Sequence, residues 1–389
     1  MRVPLLLRND DNMQQAGVAG KTVVLLMPVG GSGGVQRVMA NLANGLDGLG
    51  CSVVAVCCDA SEGLPGLKSS VELIDLGKCG LHGDVKVIVS LRAVRALLRR
   101  RKPDALITAP GFSGQVGVLA ARGLRTRVIV MVDNKLSLLK TLSWKHALIY
   151  RTAVALYGSA DAVVAAHDAA LADLERCLPS RHRAKLLRIY HPLIPDDVKE
   201  RMVEPVEPAW DALENVAISA GRLVDEKDYE TLIRSFALVR KMRDANLVIL
   251  GDGPLRSHLE ELAADLGISD SVHLWGVVDN VYRYFARSSV FVLSSKREAF
   301  GNVLIEALAC GIPCVATRCA SGGPQEILGD GDYGTLVDIG DVEGMACAIR
   351  AGLEERSREE KADVQQERVK AFGVKESSLA YLELISKVL

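Results

Sequence analysis

The stretch Ser294–Leu328, SSKREAFGNVLIEALACGIPCVATRCASGGPQEIL, holds two carboxylates, Glu298 and Glu306, with seven residues between them. Phe300-Gly301 follows the first, and an apolar run from Val303 to Ala309 carries the second. A glycine ahead of a helix allows close approach to the backbone. The first N–H groups of that helix have no partner within it and suit an anion or a hydroxyl. A helix starting near Asn302 puts Glu306 at i+4, one turn in and on the same face. Glu298 then comes from the loop just ahead. Two carboxylates and open backbone donors around one small cavity fit a polyhydroxylated ligand that bears phosphate. The spacing alone, however, occurs by chance in many helical proteins. Farther upstream, Gly221-Arg222 ends a predicted strand and Lys227 lies five residues on. Arg222 offers a planar fork to two phosphate oxygens, and Lys227 a point charge. The bland alternative is surface pairing of both with Asp225, Glu226 or Asp228.

The fuller string is more specific. Ser295, Glu298-Ala299-Phe300-Gly301 and Glu306-Ala307-Leu308-Ala309-Cys310-Gly311-Ile312-Pro313 resemble the retaining glycosyltransferases of family 4, which have the two-domain GT-B architecture. Gly221-Arg222 with Lys227 matches that family's Gly-Arg-x(4)-Lys pattern. The tail Ser321-Gly322-Gly323-Pro324-Gln325-Glu326-Ile327-Leu328 is similar to the subset that adds N-acetylhexosamines to lipid-diphosphate-linked glycans. The resemblance covers most of the C-terminal half closely, and the N-terminal half only in its glycine loop and strand–helix rhythm.

The resemblance implies a catalytic set of Arg222, Lys227 and Glu298. Positive groups meet the charge that gathers on a departing diphosphate, and Glu298 binds hydroxyls of the donor sugar. It further implies donor binding by Gly33, Gly34, Phe300, Gly301 and Asn302, with Asp252, Gly276 and Val277 beside the base. Glu306 would accept from both ribose hydroxyls, since a carboxylate suits a vicinal diol. That role removes Glu306 from the reacting carbon, so the two carboxylates are not a glycosidase pair. Same-face attack, with the departing phosphate as base, needs no protein nucleophile and retains anomeric configuration.

The elements that must position these residues alternate along the chain. Thr22–Pro28 is a continuous apolar run, as expected of a buried parallel strand. Gly30-Gly31-Ser32-Gly33-Gly34 follows, and then Val35, Val38, Met39, Leu42 and Leu46 at helical spacing. Strand, glycine loop and helix cradle phosphate in many α/β domains; by itself this one is compatible with a nucleotide sugar, a dinucleotide or a tight turn. Strands are predicted at Ser52–Cys58, Val71–Leu76, Pro103–Thr108, Arg127–Val132 and Asp161–Ala165, and a basic amphipathic helix at Leu91–Lys102. A second cycle places strands at Val216–Ala220, Asn246–Leu250, Val272–Trp275 and Val290–Leu293, and helices at Tyr229–Arg240 and up to Leu266. The expected fold class is α/β: GT-B, two Rossmann-like doubly wound parallel-sheet domains facing across a cleft. The expected boundaries are a tail at 1–19, an acceptor-side domain at 20–190, and a Pro-rich acidic linker at 191–214. A nucleotide-sugar domain follows at 215–370, and a C-terminal helix at 371–389 with the option of returning to the first domain. Two positions depart from the family pattern. Asp133, beside Asn134, stands where a histidine near the donor sugar is frequent, and either contacts a sugar or acceptor hydroxyl or caps the next helix. His191 replaces an asparagine at the hinge.

At 389 residues the chain exceeds one ordinary core and fits two domains. Its 49% apolar and 24% charged content is that of a globular protein. The net charge of −1 conceals an asymmetry: residues 1–190 hold 25 Lys/Arg against 14 Asp/Glu, and residues 191–389 hold 22 against 34. A basic first half suits an anionic membrane surface or an acceptor diphosphate. The nine cysteines lack disulfide-like spacing and read as reduced thiols of a cytoplasmic protein. Neither a signal peptide nor a spanning segment is expected, which leaves a cytoplasmic or peripheral inner-face location. Asp330-Gly331-Asp332 has the form of a metal-binding DxD but reads as a Gly-rich turn, so no metal and no cofactor is expected. The expected function is transfer of a sugar, an N-acetylhexosamine, from a UDP-sugar to a lipid-linked or cell-surface glycan, with no nucleic-acid partner. The alternatives are a GDP-mannose donor, an NAD-dependent oxidoreductase built on Gly30–Gly34 and Asp59, and a non-catalytic sugar-binding protein.

Overall fold

The computed structural model describes residues 20–27, 34–57, 64, 66–76, 84–354 and 365–389. The chain divides into two compact units, Met1–Leu193 with Phe372–Leu389, and Ile194–Ala371. The first holds seven parallel strands: β1 (Thr22–Leu26), β2 (Ser52–Cys57), β3 (Glu72–Asp75), β4 (Ala105–Thr108), β5 (Arg127–Val132), β6 (Ala162–Ala165) and β7 (Leu186–Arg188). They lie in the order β3-β2-β1-β4-β5-β6-β7. The second holds β8 (Val216–Ala220), β9 (Asn246–Leu250), β10 (Val272–Gly276), β11 (Val290–Leu293), β12 (Cys314–Thr317) and β13 (Thr335–Val337), in the order β10-β9-β8-β11-β12-β13. Both are doubly wound sheets in which the strand order reverses once, between β1 and β4 and between β8 and β11.

Sequence explains why these segments are strands. A parallel strand covered by helices on both faces reads as a nearly continuous apolar run. VFVL is one, as are TVVLL and RVIVMV after their first residues and VAISA apart from Ser219, whose hydroxyl donates to the Val292 carbonyl at 2.6 Å. Val24, Leu26, Leu106 and Val130 enter the first core; Ala217, Leu247, Val290 and Val292 enter the second, with Leu232 and Phe236 of the helix Tyr229–Arg240.

The region expected to be a linker, 191–214, is folded. Val198–Met202 is helical and belongs with the second unit. Trp210 is buried there, its ring 4.9 Å from Tyr284 and 5.4 Å from Trp275. The acidic character of the segment also has a use: Glu207 accepts from the Tyr284 hydroxyl at 2.7 Å and pairs with Arg283. At the other end, the helix Val374–Val388 belongs to the first unit and packs on the helix Gly34–Gly48. The approach is close, since a Cβ at Gly45 would lie 2.0 Å from Ser378 Oγ. The chain re-enters beside its exit, where Leu193 N–H donates to the Phe372 carbonyl at 3.0 Å. The basic helix runs Asp84–Arg101, longer than its predicted Leu91–Lys102 core at the N-terminal side.

Candidate functional site

Open α/β sheets bind ligands beyond the carboxyl ends of their strands, where the strand order reverses. In the second unit that point lies between β8 and β11, which are adjacent although two strands intervene in sequence. The loop after β8 carries Arg222 and Lys227, and the loop after β11 carries Glu298 and Gly301.

The two loops are tied together. The backbone N–H groups of Lys296 and Arg297 both donate to the Glu226 carbonyl, at 2.9 and 3.3 Å. Lys296 pairs with Asp225 at 3.0 Å and Asp228 at 3.3 Å, and Arg297 with Glu226 at 3.1 Å. The three acids that a bland reading assigns to Arg222 and Lys227 are thus taken by cations of the facing loop. Lys227 instead donates to Glu298 Oε1, which also accepts from Ser295 Oγ at 2.7 Å. Ser294 Oγ donates to the Lys227 carbonyl at 2.8 Å. The two serines just after β11 therefore hold both members of the ion pair, one through its backbone and one through its side chain. The side chains of Lys227 and Glu298 are only 21% and 11% exposed. Arg222 is exposed and makes no ion pair among the described residues, so its guanidinium is uncommitted.

Glycines shape the wall beside this pair. Gly221 and Gly251 adopt φ of +156° and +130°, and a Cβ on Gly251 would lie 2.1 Å from the Gly221 carbonyl oxygen. Backbone bonds knit the ends of β8, β9 and β10: Gly221 N–H to Leu250, Leu223 N–H to Asp252, and Gly251 N–H to Gly276 at 2.6 Å. Asp252 uses its side chain locally, accepting from Gly253 N–H at 2.8 Å and pairing with Arg256 at 3.0 Å. Arg256 first, and the Gly253 N–H next, hold its carboxyl below the usual range. Only its backbone carbonyl supports the loop next door. Gly276 turns the chain at φ +93°, and the Val277 side chain after it is 80% exposed.

Gly301, at φ +103°, precedes the helix Asn302–Ala309. A Cβ there would make only ordinary contacts, at 3.6 Å from Ile327 and Leu293, so glycine is required by conformation and not by space. The Leu304 N–H closes on the Gly301 carbonyl at 2.9 Å, which leaves the N–H groups ahead of it as the open donors of this turn. Glu306 lies one turn in, as the spacing predicts, and is 1% exposed. It raises the pKa of Cys310, whose thiol is pushed up first by burial. Phe300 is 1% exposed: its ring anchors the loop in the core and does not face outward. Its backbone is pressed against Gly323, where a Cβ would lie 2.3 Å from the Phe300 carbonyl oxygen. That contact explains the glycine in Ser321-Gly322-Gly323-Pro324, whose last residues open the helix Gly323–Ile327.

In the first unit, Gly33 lies outside the described residues, as do Gly30–Ser32 and Asp59, and Gly34 opens the helix Gly34–Gly48. Asp133 and Asn134 follow β5. The capping alternative for Asp133 is not what forms: Lys135 occupies the N-cap of the short helical turn Leu136–Leu138 without a side-chain bond, and Asn134 Oδ1 accepts from the Lys135 N–H at 2.8 Å. Burial pushes the Asp133 carboxyl up from its ordinary range. His167, which sequence reading passed over, is fully buried beside it, its Nδ1 accepting from Ala170 N–H at 3.3 Å to cap the helix Asp168–Cys177. Burial pulls its pKa down to about 4. Among the described residues no three His, Cys, Asp or Glu side chains group as a metal site, and Asp330-Gly331-Asp332 lies in a turn with Asp330 at φ +53°. Among the described residues no helix is long and apolar enough to cross a membrane.

Known proteins resemble both halves of the chain. Residues 203–370 match the model of glycosyl transferases group 1, and residues 33–189 match a glycosyl transferase 4-like domain. The chain belongs to the GT-B glycosyltransferases. A lipopolysaccharide core biosynthesis glycosyltransferase of Rhizobium meliloti is 45% identical over 34% of this chain and 38% of its own length. An N-acetylgalactosaminyltransferase of Campylobacter jejuni, named for a diacetylbacillosaminyl-diphospho-undecaprenol substrate, is 36% identical over 44% of this chain and 49% of its own. These matches thus extend over less than half of each relative. Among solved structures, a glycosyltransferase of Rickettsia africae superposes with a TM-score of 0.77 at 16% identity, covering 95% of this chain and 98% of its own. Anabaena HepE, solved in complex with UDP, gives 0.74 at 17% identity, covering 94% and 100%. At such identities the likeness speaks for the fold.

Proposed function

We propose that this GT-B glycosyltransferase moves a sugar, an N-acetylhexosamine, from a UDP-sugar to a lipid-linked or cell-surface glycan, with retention and without a metal. The observation that carries the reading is the Lys227–Glu298 pair at the β8/β11 switch point, on the loop after β8 that also carries the exposed Arg222, which makes no ion pair among the described residues. A diphosphate ester needs such charge where its leaving group forms. In the proposed reaction the bond from the anomeric carbon to the β-phosphate oxygen breaks and both electrons stay with UDP. Arg222 and Lys227 meet that charge. An acceptor hydroxyl attacks the same face and passes its proton to the departing phosphate. Glu298 orients the sugar hydroxyls, Glu306 receives the ribose, and the open donors ahead of Leu304 complete the phosphate cradle. The names of the Rhizobium and Campylobacter relatives support a glycan acceptor, and the second supports an acceptor on a lipid diphosphate. The basic first half of the chain suits such an acceptor and an anionic bilayer, in keeping with work at the inner face of a membrane.

Thermal shift against UDP, GDP and NAD tests the donor. UDP alone should raise the melting temperature, and Arg222→Ala should remove that shift without changing the melting temperature of the free protein, since Arg222 is exposed. A shift with NAD alone ends the proposal, and a shift with GDP alone moves it to a GDP-mannose donor. NMR of the product then reports the anomeric configuration, and an inverted product refutes retention.

A further inference from the structure

The group that fixes Glu298 is itself fixed from the neighbouring strand. Ser295, fully buried, donates through Oγ to Glu298 Oε1 at 2.7 Å. Its backbone carbonyl is the acceptor for two side chains at the end of β12: Thr317 Oγ1 at 2.5 Å and Cys319 Sγ at 3.2 Å. Both are buried, and they lie 3.6 Å apart. A carbonyl that accepts twice is held against rotation of its peptide, and the peptide sets where the Ser295 side chain emerges. The chain of contacts therefore runs from Thr317 and Cys319 through Ser295 to Glu298 and Lys227. Burial raises the pKa of the Cys319 thiol, with Glu298 adding in the same sense, so the group is a protonated donor at neutral pH.

We infer that Thr317 and Cys319 are positioning residues for the Lys227–Glu298 pair, acting through the Ser295 carbonyl. The inference rests on the proposed function and deepens it, because it says which residues outside the ligand's reach determine the geometry of that pair. A valine at 317 keeps the volume and removes the donor; a serine keeps the donor and removes a methyl. Preorganised groups lose activity steeply when displaced, so Thr317→Val should lower kcat by about tenfold with UDP affinity within about twofold of the unmodified protein. Thr317→Ser should return kcat to within about twofold, a rescue that a merely structural role for this site would not produce. Cys319→Ala, which deletes the weaker donor, should cost about threefold. Ser295→Ala should make the Thr317→Val loss disappear, because the route between them is then cut.

The test also needs a readout without sugar transfer. In protein labelled with [ε-13C]lysine, the Lys227 signal reports whether its ammonium is held by Glu298. It should move toward the position of solvated lysines in Thr317→Val and stay in place in Thr317→Ser. An unmoved signal, an equal loss in the valine and serine variants, or additive losses in the double variant would each overturn the inference. Should Thr317→Val fail to unfold cooperatively, Cys319→Ala decides by the same signal. A complete lack of turnover in the unmodified chain would count against the proposed function, while the lysine signal would still decide the positioning.

Discussion

Replacing Glu298 by glutamine separates the two things its carboxylate does. In the free protein its Oε1 receives both Lys227 and Ser295, and the side chains of Lys227 and Glu298 are 21% and 11% exposed. When a diphosphate oxygen joins it on the Lys227 ammonium, two anions share one cation, and acceptors around one ammonium stand about 5 Å apart. Two unit charges at that separation repel by about 3 kcal/mol at an effective dielectric of 20. The partial exposure of the pair and mobile ions reduce this to about 1 kcal/mol. Glutamine keeps the shape and can still accept from Ser295, but it removes the repulsion. It also leaves Lys227 with a weaker partner in the free state. Both effects favour UDP, so its Kd should fall by about fivefold, at 1.4 kcal/mol per tenfold. Transfer should fall by about a hundredfold, because the charged contact to the donor sugar is lost. Titration calorimetry with UDP and turnover of the UDP-sugar measure the two quantities on one preparation. If UDP binding weakens in step with turnover, the reasoning is refuted: Glu298 would then serve to hold Lys227 where phosphate needs it, and would not compete with phosphate for it.

Two further perturbations follow from the geometry. Gly301→Ala meets no atom closer than 3.6 Å and bears only the strain of a left-handed backbone, about 1–2 kcal/mol, whereas Gly251→Ala drives a Cβ to 2.1 Å from the Gly221 carbonyl and should cost about 3 kcal/mol or more. Urea unfolding of both variants checks the order, and equal losses would contradict it. His167 is neutral in the folded protein until its pKa of about 4, against 6.5 when unfolded. The unfolded chain thus binds the extra proton first: this contribution is intact above pH 6.5 and is lost as pH falls through 6.5 toward 4, by about 2 kcal/mol at pH 5. His167→Asn, which can still cap the helix Asp168–Cys177, should show that much less acid loss between pH 7.5 and 5 in urea midpoints; parallel profiles would refute the assignment.

How much was legible in the sequence depends on whether a feature is local. Buried parallel strands announce themselves as apolar runs, so Arg127–Val132, Val216–Ala220, Asn246–Leu250 and Val290–Leu293 have the bounds their residues suggest. The three-residue strands Leu186–Arg188 and Thr335–Val337 do not, because three residues cannot display a period or a run. The segment 191–214 reads as a linker from its prolines and acids, yet Trp210 and Glu207 are engaged with Tyr284, some seventy residues on, and composition holds no sign of that. The same limit applies at the site. Nothing near Lys227 in sequence shows that Asp225, Glu226 and Asp228 will be claimed by Lys296 and Arg297, or that Thr317 and Cys319 will grip Ser295.

Topology explains both the success and the limit. A right-handed crossover from β8 adds β9 and β10 on one side, and the chain must then return to the other side of β8 to add β11. The loops leaving β8 and β11 are therefore the two that diverge to opposite faces of the sheet, and the crevice between their starts is lined by whatever those loops carry. Here they carry Gly221-Arg222 with Lys227, and Glu298 with Gly301. Charged residues beside glycines at strand ends form a local motif that the amino-acid order displays directly. The side chains that grip Ser295, and through it the motif, come from the end of β12, the next strand out from the crevice, and are fixed only when the strands take their order. If that account holds, the side chains that tune this site lie at the end of β12, and substitutions at the end of β13, one strand farther, should leave the Lys227–Glu298 pair untouched.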